Sequence, residues 1–463
     1  MEYISTRNNS DHFSFKNVFL KGLADDGGLF VPKSIKPFSK EELIKLSSLK
    51  YNELAAEIIF PFIGNFMTKK ELSFLISKSY SHFRCEDVVK ISDLGKFKIL
   101  ELFHGPTLAF KDIAMQLIGN FYQYHLENAE KKINIIVATS GDTGAAAIDA
   151  LKGKSNLNVF VLHPHNKISP VQRRLMTIHE ERNVFNIAIE GNFDDCQNLV
   201  KAMFNDQNFS NKINMSGVNS INWARIIAQA VYYFYAYFKT GNGQPLSFSV
   251  PTGNFGDIYA GYLAKKLGLP VDKLIVATNK NDILDRVFRT GVYKSNRVSK
   301  TLSPSMDIQV ASNFERLLFD LLNNDTEEVS KLMNNLFIKG GFKLEKKLIS
   351  LISKDFGSGT VTDEETIATI KHFFNERKIL LCPHSAIGVR VAQDFVYAGE
   401  TVVSLGTAHP AKFKETVESA SGMSIPVPSA LKNAMKKKES VKVILPKKEL
   451  LVEEIRRSYL SAY

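Results

Sequence analysis

The chain has 463 residues, 44% hydrophobic, 23% charged and 11% aromatic, a balance that excludes a disordered or collagen-like polymer. At roughly 100–200 residues per domain the length allows two or three packed units, enough to bury a core without disulfide staples. The net charge of +11 permits nucleic acid as a partner but suits small anionic substrates equally.

In chain order, residues 1–92 read as a mostly helical N-terminal unit. Ser39-Lys40-Glu41-Glu42 and Thr68-Lys69-Lys70-Glu71 each match a capping box opening an apolar helical stretch. Gly27-Gly28 and Pro32 punctuate a loop around Leu29-Phe30-Val31. From about Lys96 short apolar runs alternate with helical stretches. Candidate strands are Phe97 to Phe103, Ile133 to Ala138, Val159 to Leu162, Val184 to Ile189, Leu246 to Val250, Leu274 to Ala277 and Thr401 to Leu405. Helices are expected at Asp142 to Leu151, Phe193 to Phe204 and Asp257 to Leu267. This alternation predicts an α/β fold, with two parallel-type sheets covered by helices around a cleft over residues 93–430. Ile226 to Phe238 is too short for the roughly 20 apolar residues a bilayer needs and contains Gln229, so it reads as a buried core helix. Between Ser299 and about Thr369 the pattern blurs. Residues 431–463 form a basic C-terminal segment with Lys436-Lys437-Lys438 and Pro446-Lys447-Lys448.

Cys85, Cys196 and Cys382 lie far apart without metal or CxxC spacing, which points to a reducing, cytoplasmic compartment. The first residues lack the apolar core of a signal peptide. No metal site is expected, since HExxH is absent and His163 and His165 lack further ligands at metal spacing.

Ligands of open α/β sheets bind beyond the C-terminal strand ends, and four strand-to-helix junctions stand out there. Thr252-Gly253-Asn254-Phe255-Gly256-Asp257 has glycines that let amides converge at a helix N terminus, a seat for phosphate that needs no Lys or Arg. A tight turn with nothing bound fits the same residues. Thr139-Ser140-Gly141-Asp142-Thr143 offers amides and hydroxyls to a carboxylate, or an ordinary N-cap. Lys111 follows Leu108-Ala109-Phe110. A lysine walled by such residues has a lowered pKa and can form Schiff bases, although an isolated Lys is more often a solvated surface group. Leu405-Gly406-Thr407 offers a hydroxyl to a ring nitrogen or a helix cap, while nearby His409 reads as structural.

Together with Tyr3 through Arg7, Gly22 through Pro32, Lys167-Ile168-Ser169-Pro170-Val171-Gln172 and Asn219 through Arg225, these junctions resemble the threonine synthase family of fold-type II pyridoxal-phosphate enzymes. The resemblance covers most of the chain. It implies that residues 93–430 are the catalytic region and that Lys111 carries pyridoxal 5'-phosphate covalently. By the same resemblance Gly253, Asn254, Phe255, Gly256 and Asp257 surround the cofactor phosphate, and Thr407 faces the pyridine nitrogen. Thr139, Ser140, Gly141 and Thr143 hold the substrate α-carboxylate. Asp142 stands where many relatives place Asn beside the cofactor's phenolic oxygen, and two anions there repel unless a proton or water intervenes. Lys167, Ser169, Asn222 and Arg225 form the expected site for the phosphate of O-phospho-L-homoserine, which the family converts with water to L-threonine and phosphate. The alternatives are another fold-type II lyase, such as a serine/threonine dehydratase or a phospho-lyase, and, more remotely, a non-catalytic basic nucleic-acid-binding protein. No nucleic-acid module is legible, no membrane partner is expected, and monomer and dimer remain open.

Overall fold

A computed structural model describes residues 1–127, 132–397 and 400–461. Strand β1 (Tyr3–Ser5) pairs antiparallel with β2 (Phe30–Pro32), so the segment expected as a loop around Leu29-Phe30-Val31 is in part a strand. Its apolar side chains are buried, and its backbone groups find partners on the N-terminal residues. Both expected capping boxes form: Ser39 with Glu42 opens the helix Lys40–Ser47, and Thr68 with Glu71 opens Lys69–Tyr80.

The next strands are β3 (Lys90–Leu94), β4 (Phe97–Glu101), β5 (Ile133–Ala138), β6 (Leu157–Pro164), β7 (Val184–Ile189), β8 (Met215–Ser216), β9 (Leu246–Pro251) and β10 (Val271–Thr278). A small antiparallel pair, β11 (Val292–Lys294) and β12 (Gly341–Lys343), precedes β13 (Phe356–Thr360), β14 (Val402–Gly406) and β15 (Lys442–Ile444). One sheet has the order β13-β10-β9-β14-β4-β3, parallel except for the edge strand β3. The other is all parallel, in the order β15-β7-β6-β5-β8.

Burial explains why the runs are predominantly apolar: every residue of β5, β6, β9 and β14 is buried, as parallel strands covered on both faces require. The helix Trp223–Thr240 is buried from Trp223 through Tyr237. It packs against the helices Gly256–Lys266, Tyr51–Ile63 and Lys111–Leu126 and so ties the N-terminal unit to the larger sheet. Among the described residues no helix is long and apolar enough to cross a membrane, and no cluster of three or more His, Cys, Asp or Glu could hold a metal ion. Sheet order places the site. Strands β9, β14 and β4 are adjacent, so the residues that follow them meet at one edge, opposite those that follow β5.

Candidate active site

The loop after β4 is shaped by Asp112, whose carboxylate accepts from the Thr107 amide (2.8 Å) and hydroxyl (2.6 Å). A Cβ on Gly105 would lie 2.4 Å from that of Asp112, so the turn has room only for glycine. Ala109 bridges to Ala408, and the Phe110 amide donates to the Thr407 carbonyl at 2.9 Å. This pairing sets Lys111, the first residue of the helix Lys111–Leu126, beside Thr407. The Lys111 side chain is 12% exposed, lines a cleft of about 850 Å³ and has its nitrogen 4.7 Å from the Phe110 ring centre. Burial pushes its ammonium below the ordinary lysine value; Asp142 opposes this, while Lys412 and Arg225 add to it.

Across the cleft, Asp142 opens the helix that follows β5. Its Oδ2 is 3.5 Å from Lys111 Nζ, and its Oδ1 is 2.7 Å from Lys412 Nζ and 3.0 Å from Gln172 Nε2. Burial opposes charge on this carboxyl, but Lys412 and then Lys111 hold it well below the usual carboxylate range. The two-anion conflict expected at Asp142 therefore meets a second cation. Thr139 Oγ1 accepts from the Gly141 and Gly144 amides, both at 2.9 Å; Thr139, Ser140 and Thr143 line the cleft. Gly141 has φ +134°, and an added Cβ would lie within 3 Å of Gln172.

The loop after β9 is a cradle. Phe255 is left-handed (φ 62°), turning the chain into the helix Gly256–Lys266, whose first amides have no intrahelical acceptor. A Cβ on Gly253 would meet Ile308 Cδ1 at 3.0 Å and the Ser305 carbonyl oxygen at 3.1 Å. Residues Gly253 through Asp257 all line the cleft. The Asp257 carboxyl accepts from the Tyr232 and Tyr233 hydroxyls, and burial raises it to about 6.

Among the buried polar atoms of the described residues that have no protein partner are Thr407 Oγ1, Arg225 Nε, Asp257 Oδ2, His384 Nδ1 and Asn219 Oδ1. Each belongs to a residue lining the cleft, and such atoms call for a bound partner. His384 Nε2 accepts from the Ser305 amide at 3.2 Å, which fixes the ring with its proton on Nδ1. Burial lowers this imidazole to about 3, so it is neutral.

The expected phosphate set separates. Arg225 lines the cleft. Asn222 is buried as the N-cap of its helix, donating to the Phe19 and Gly217 carbonyls. Ser169 caps the helix Pro170–Thr177, and Lys167 is exposed; these three residues do not line the cleft in this conformation. Sequence reasoning missed Lys412, His384 and Ser305, and gave Gln172 no role. It also missed the N-terminal contribution: Arg7, paired with Glu315 at 2.8 Å, lines the same cleft. The only local signal was that Lys412 shares the Thr407 junction, and a lone lysine there reads as solvated.

A family model described as "Pyridoxal-phosphate dependent enzyme" matches residues 97–332. The models "Threonine synthase N terminus" and "Threonine synthase, C-terminal" match residues 2–80 and 385–455. The chain is thus an enzyme of the pyridoxal-phosphate-dependent class. A threonine synthase from Pseudomonas aeruginosa is 45% identical over 448 residues, covering 96% of both chains. The structure of PLP-bound threonine synthase from Brucella melitensis aligns with TM-score 0.94 and 45% identity over 99% of each chain; that of the yeast threonine synthase aligns with 0.92 and 41%, also over 99% of each. The chain belongs to the threonine synthase family. Its residues fit the cofactor: a desolvated lysine, a glycine cradle at a helix N terminus and an unpartnered threonine hydroxyl share one cleft.

Proposed function

We propose that this chain converts O-phospho-L-homoserine and water to L-threonine and inorganic phosphate, with pyridoxal 5'-phosphate held on Lys111. The observation that carries the reading is the desolvated Lys111 amine beside Thr407, in the same cleft as the Gly253–Asp257 cradle. When bound, the cofactor supplies an electron sink for charge developing at the substrate α-carbon. Gly253, Asn254, Phe255, Gly256 and Asp257 would hold its phosphate, Thr407 would offer a hydroxyl to its ring nitrogen, and Asp142 would stand near its phenolic oxygen across a shared proton or water.

The chain's own residues bind the substrate and move protons. Lys111 takes a proton from one substrate carbon and returns it to the next, because burial favours the neutral amine it needs as a base. Thr139, Ser140, Gly141 and Thr143 receive the α-carboxylate at a helix N terminus. Arg225 binds the phosphate through its unpartnered Nε; Lys167 and Ser169 join it on closure of the cleft, and Asn222 acts by capping the Arg225 helix. The enzyme works in the cytoplasm as a monomer or dimer, without nucleic acid; sedimentation and a labelled-RNA shift at physiological salt test the last two points.

The test is the visible spectrum of the purified protein with and without Lys111→Ala, coupled to product analysis. The expected result is a cofactor band that the substitution abolishes and threonine as product. A colourless protein that cannot be reconstituted overturns the cofactor reading; 2-oxobutanoate in place of threonine overturns the reaction.

A further inference from the structure

Two buried lysines share one carboxylate at the centre of the cleft, and they share it unequally. Lys412 is wholly buried (0% exposed) and approaches Asp142 Oδ1 to 2.7 Å, while Lys111 stands 3.5 Å from Oδ2. Lys412 does not line the cleft; its nitrogen also donates to the Thr107 carbonyl at 2.8 Å. It is therefore fixed from both sides and out of reach of a ligand. Burying an ammonium is costly unless it is paired, so its placement behind Asp142 calls for a role.

We propose that Lys412 is a positioning residue: it takes the near oxygen of Asp142 and so keeps Lys111 from closing into a locked ion pair, leaving the Lys111 nitrogen able to exchange protons. A lysine paired alone with a buried carboxylate would hold its proton tightly and be a poor nucleophile and a poor base. A second cation lowers that hold in two ways, by sharing the anion and by repelling charge on Lys111. The proposal rests on the reading of Lys111 as the cofactor lysine and explains how an acidic residue is tolerated there.

The charged and titratable groups around the pair are Asp142, Arg225, His384 and Asp257 near Lys111, with Asp142, Asp112, His384 and His409 near Lys412. Asp142 stays ionised wherever Lys111 titrates, so removing Lys412 deletes a like charge and must raise the Lys111 value.

The experiment is competitive acetylation of the full-length, cofactor-free protein from pH 6 to 11, read at Lys111 by peptide mass spectrometry. Lys412→Met is expected to move the Lys111 midpoint up by ~1 pH unit, a tenfold tighter proton, while Lys412→Arg keeps the parent midpoint. An unchanged midpoint in Lys412→Met, or an equal rise in Lys412→Arg, overturns the proposal. If the single variant does not fold, Lys412→Met/Asp112→Asn removes one charge of each sign and takes the same measurement; failure of both to fold assigns Lys412 a structural role and also overturns it. Borohydride trapping on the holoenzyme maps the cofactor lysine separately, so a failure of that reading is distinguishable from this one.

Discussion

Arg225 is buried with its Nε unpartnered, and burial lowers it to about 10, still a cation at neutral pH. A buried guanidinium kept without a complete set of partners suits an anionic ligand. Arg225→Ala should raise KM for the phosphorylated substrate by about 30-fold or more, taking about 2–3 kcal/mol for a charged hydrogen bond, while the cofactor band persists. Steady-state kinetics beside a spectrum checks this; unchanged KM removes Arg225 from the site. At this scale the sequence was most legible where chemistry and local pattern coincide. Lys111 stood out because Leu108, Ala109 and Phe110 precede it, and the Gly253 cradle because glycine permits close backbone approach. Lys412 and His384 were illegible because their meaning lies in partners 270 and 79 positions away, Asp142 and Ser305, which no local window contains.

Among elements, the segment between β11 and β12 decides how rigid the cradle is. Asp307 accepts from the Thr301 amide (3.1 Å) and hydroxyl (2.6 Å) and from the Asn279 (2.8 Å) and Asn281 (3.0 Å) side chains. It thereby pins the turn Pro304–Met306, whose Ser305 carbonyl abuts Gly253. Asp307→Ala leaves the Thr301 amide without its acceptor and removes the shared anchor of the two asparagines, which keep other acceptors, and should cost about 1–3 kcal/mol. The checkable outcome is a lower thermal midpoint together with several-fold faster cofactor loss on dialysis; loss of stability with cofactor retention intact would detach this segment from the cradle. The central strands were legible because β5 and β7 are mostly apolar runs, each broken by a single asparagine, whose limits match their pattern. β13 was not. It reads Phe-Gly-Ser-Gly-Thr, and its glycines are there because Cβ atoms at Gly357 and Gly359 would meet Phe395 and Val391 at 2.5 and 2.8 Å. Packing against another helix replaced the β-branched signal that marks a strand. The C-terminal strand β15 was hidden by its three-residue length and by exposed Lys442 on an edge where charge discourages further pairing.

The whole molecule has two apolar cores. The larger runs through the N-terminal helices, the helix Trp223–Thr240 and the six-stranded sheet; the smaller lies against the five-stranded sheet and includes Leu451 and Ile455 of the C-terminal helix, packed with Ile136, Phe160, Cys196 and Met203. The basic tail thus completes the half of the molecule that presents Thr139–Thr143, while Lys111, Gly253 and Thr407 sit on the other half. Leu451→Ala/Ile455→Ala removes two fully buried side chains at about 2–5 kcal/mol each, less than additive because the positions are one helical turn apart. The loss should fall on the smaller core. The chain's one tryptophan, Trp223, lies in the larger core, so its fluorescence reports that core and not the smaller one. In the double variant the far-UV circular dichroism transition should begin at a lower temperature than the Trp223 transition, and KM should rise while cofactor absorbance stays. Coincident transitions would mean that the cores melt as one unit, and that the tail stabilises the cofactor half as strongly as its own.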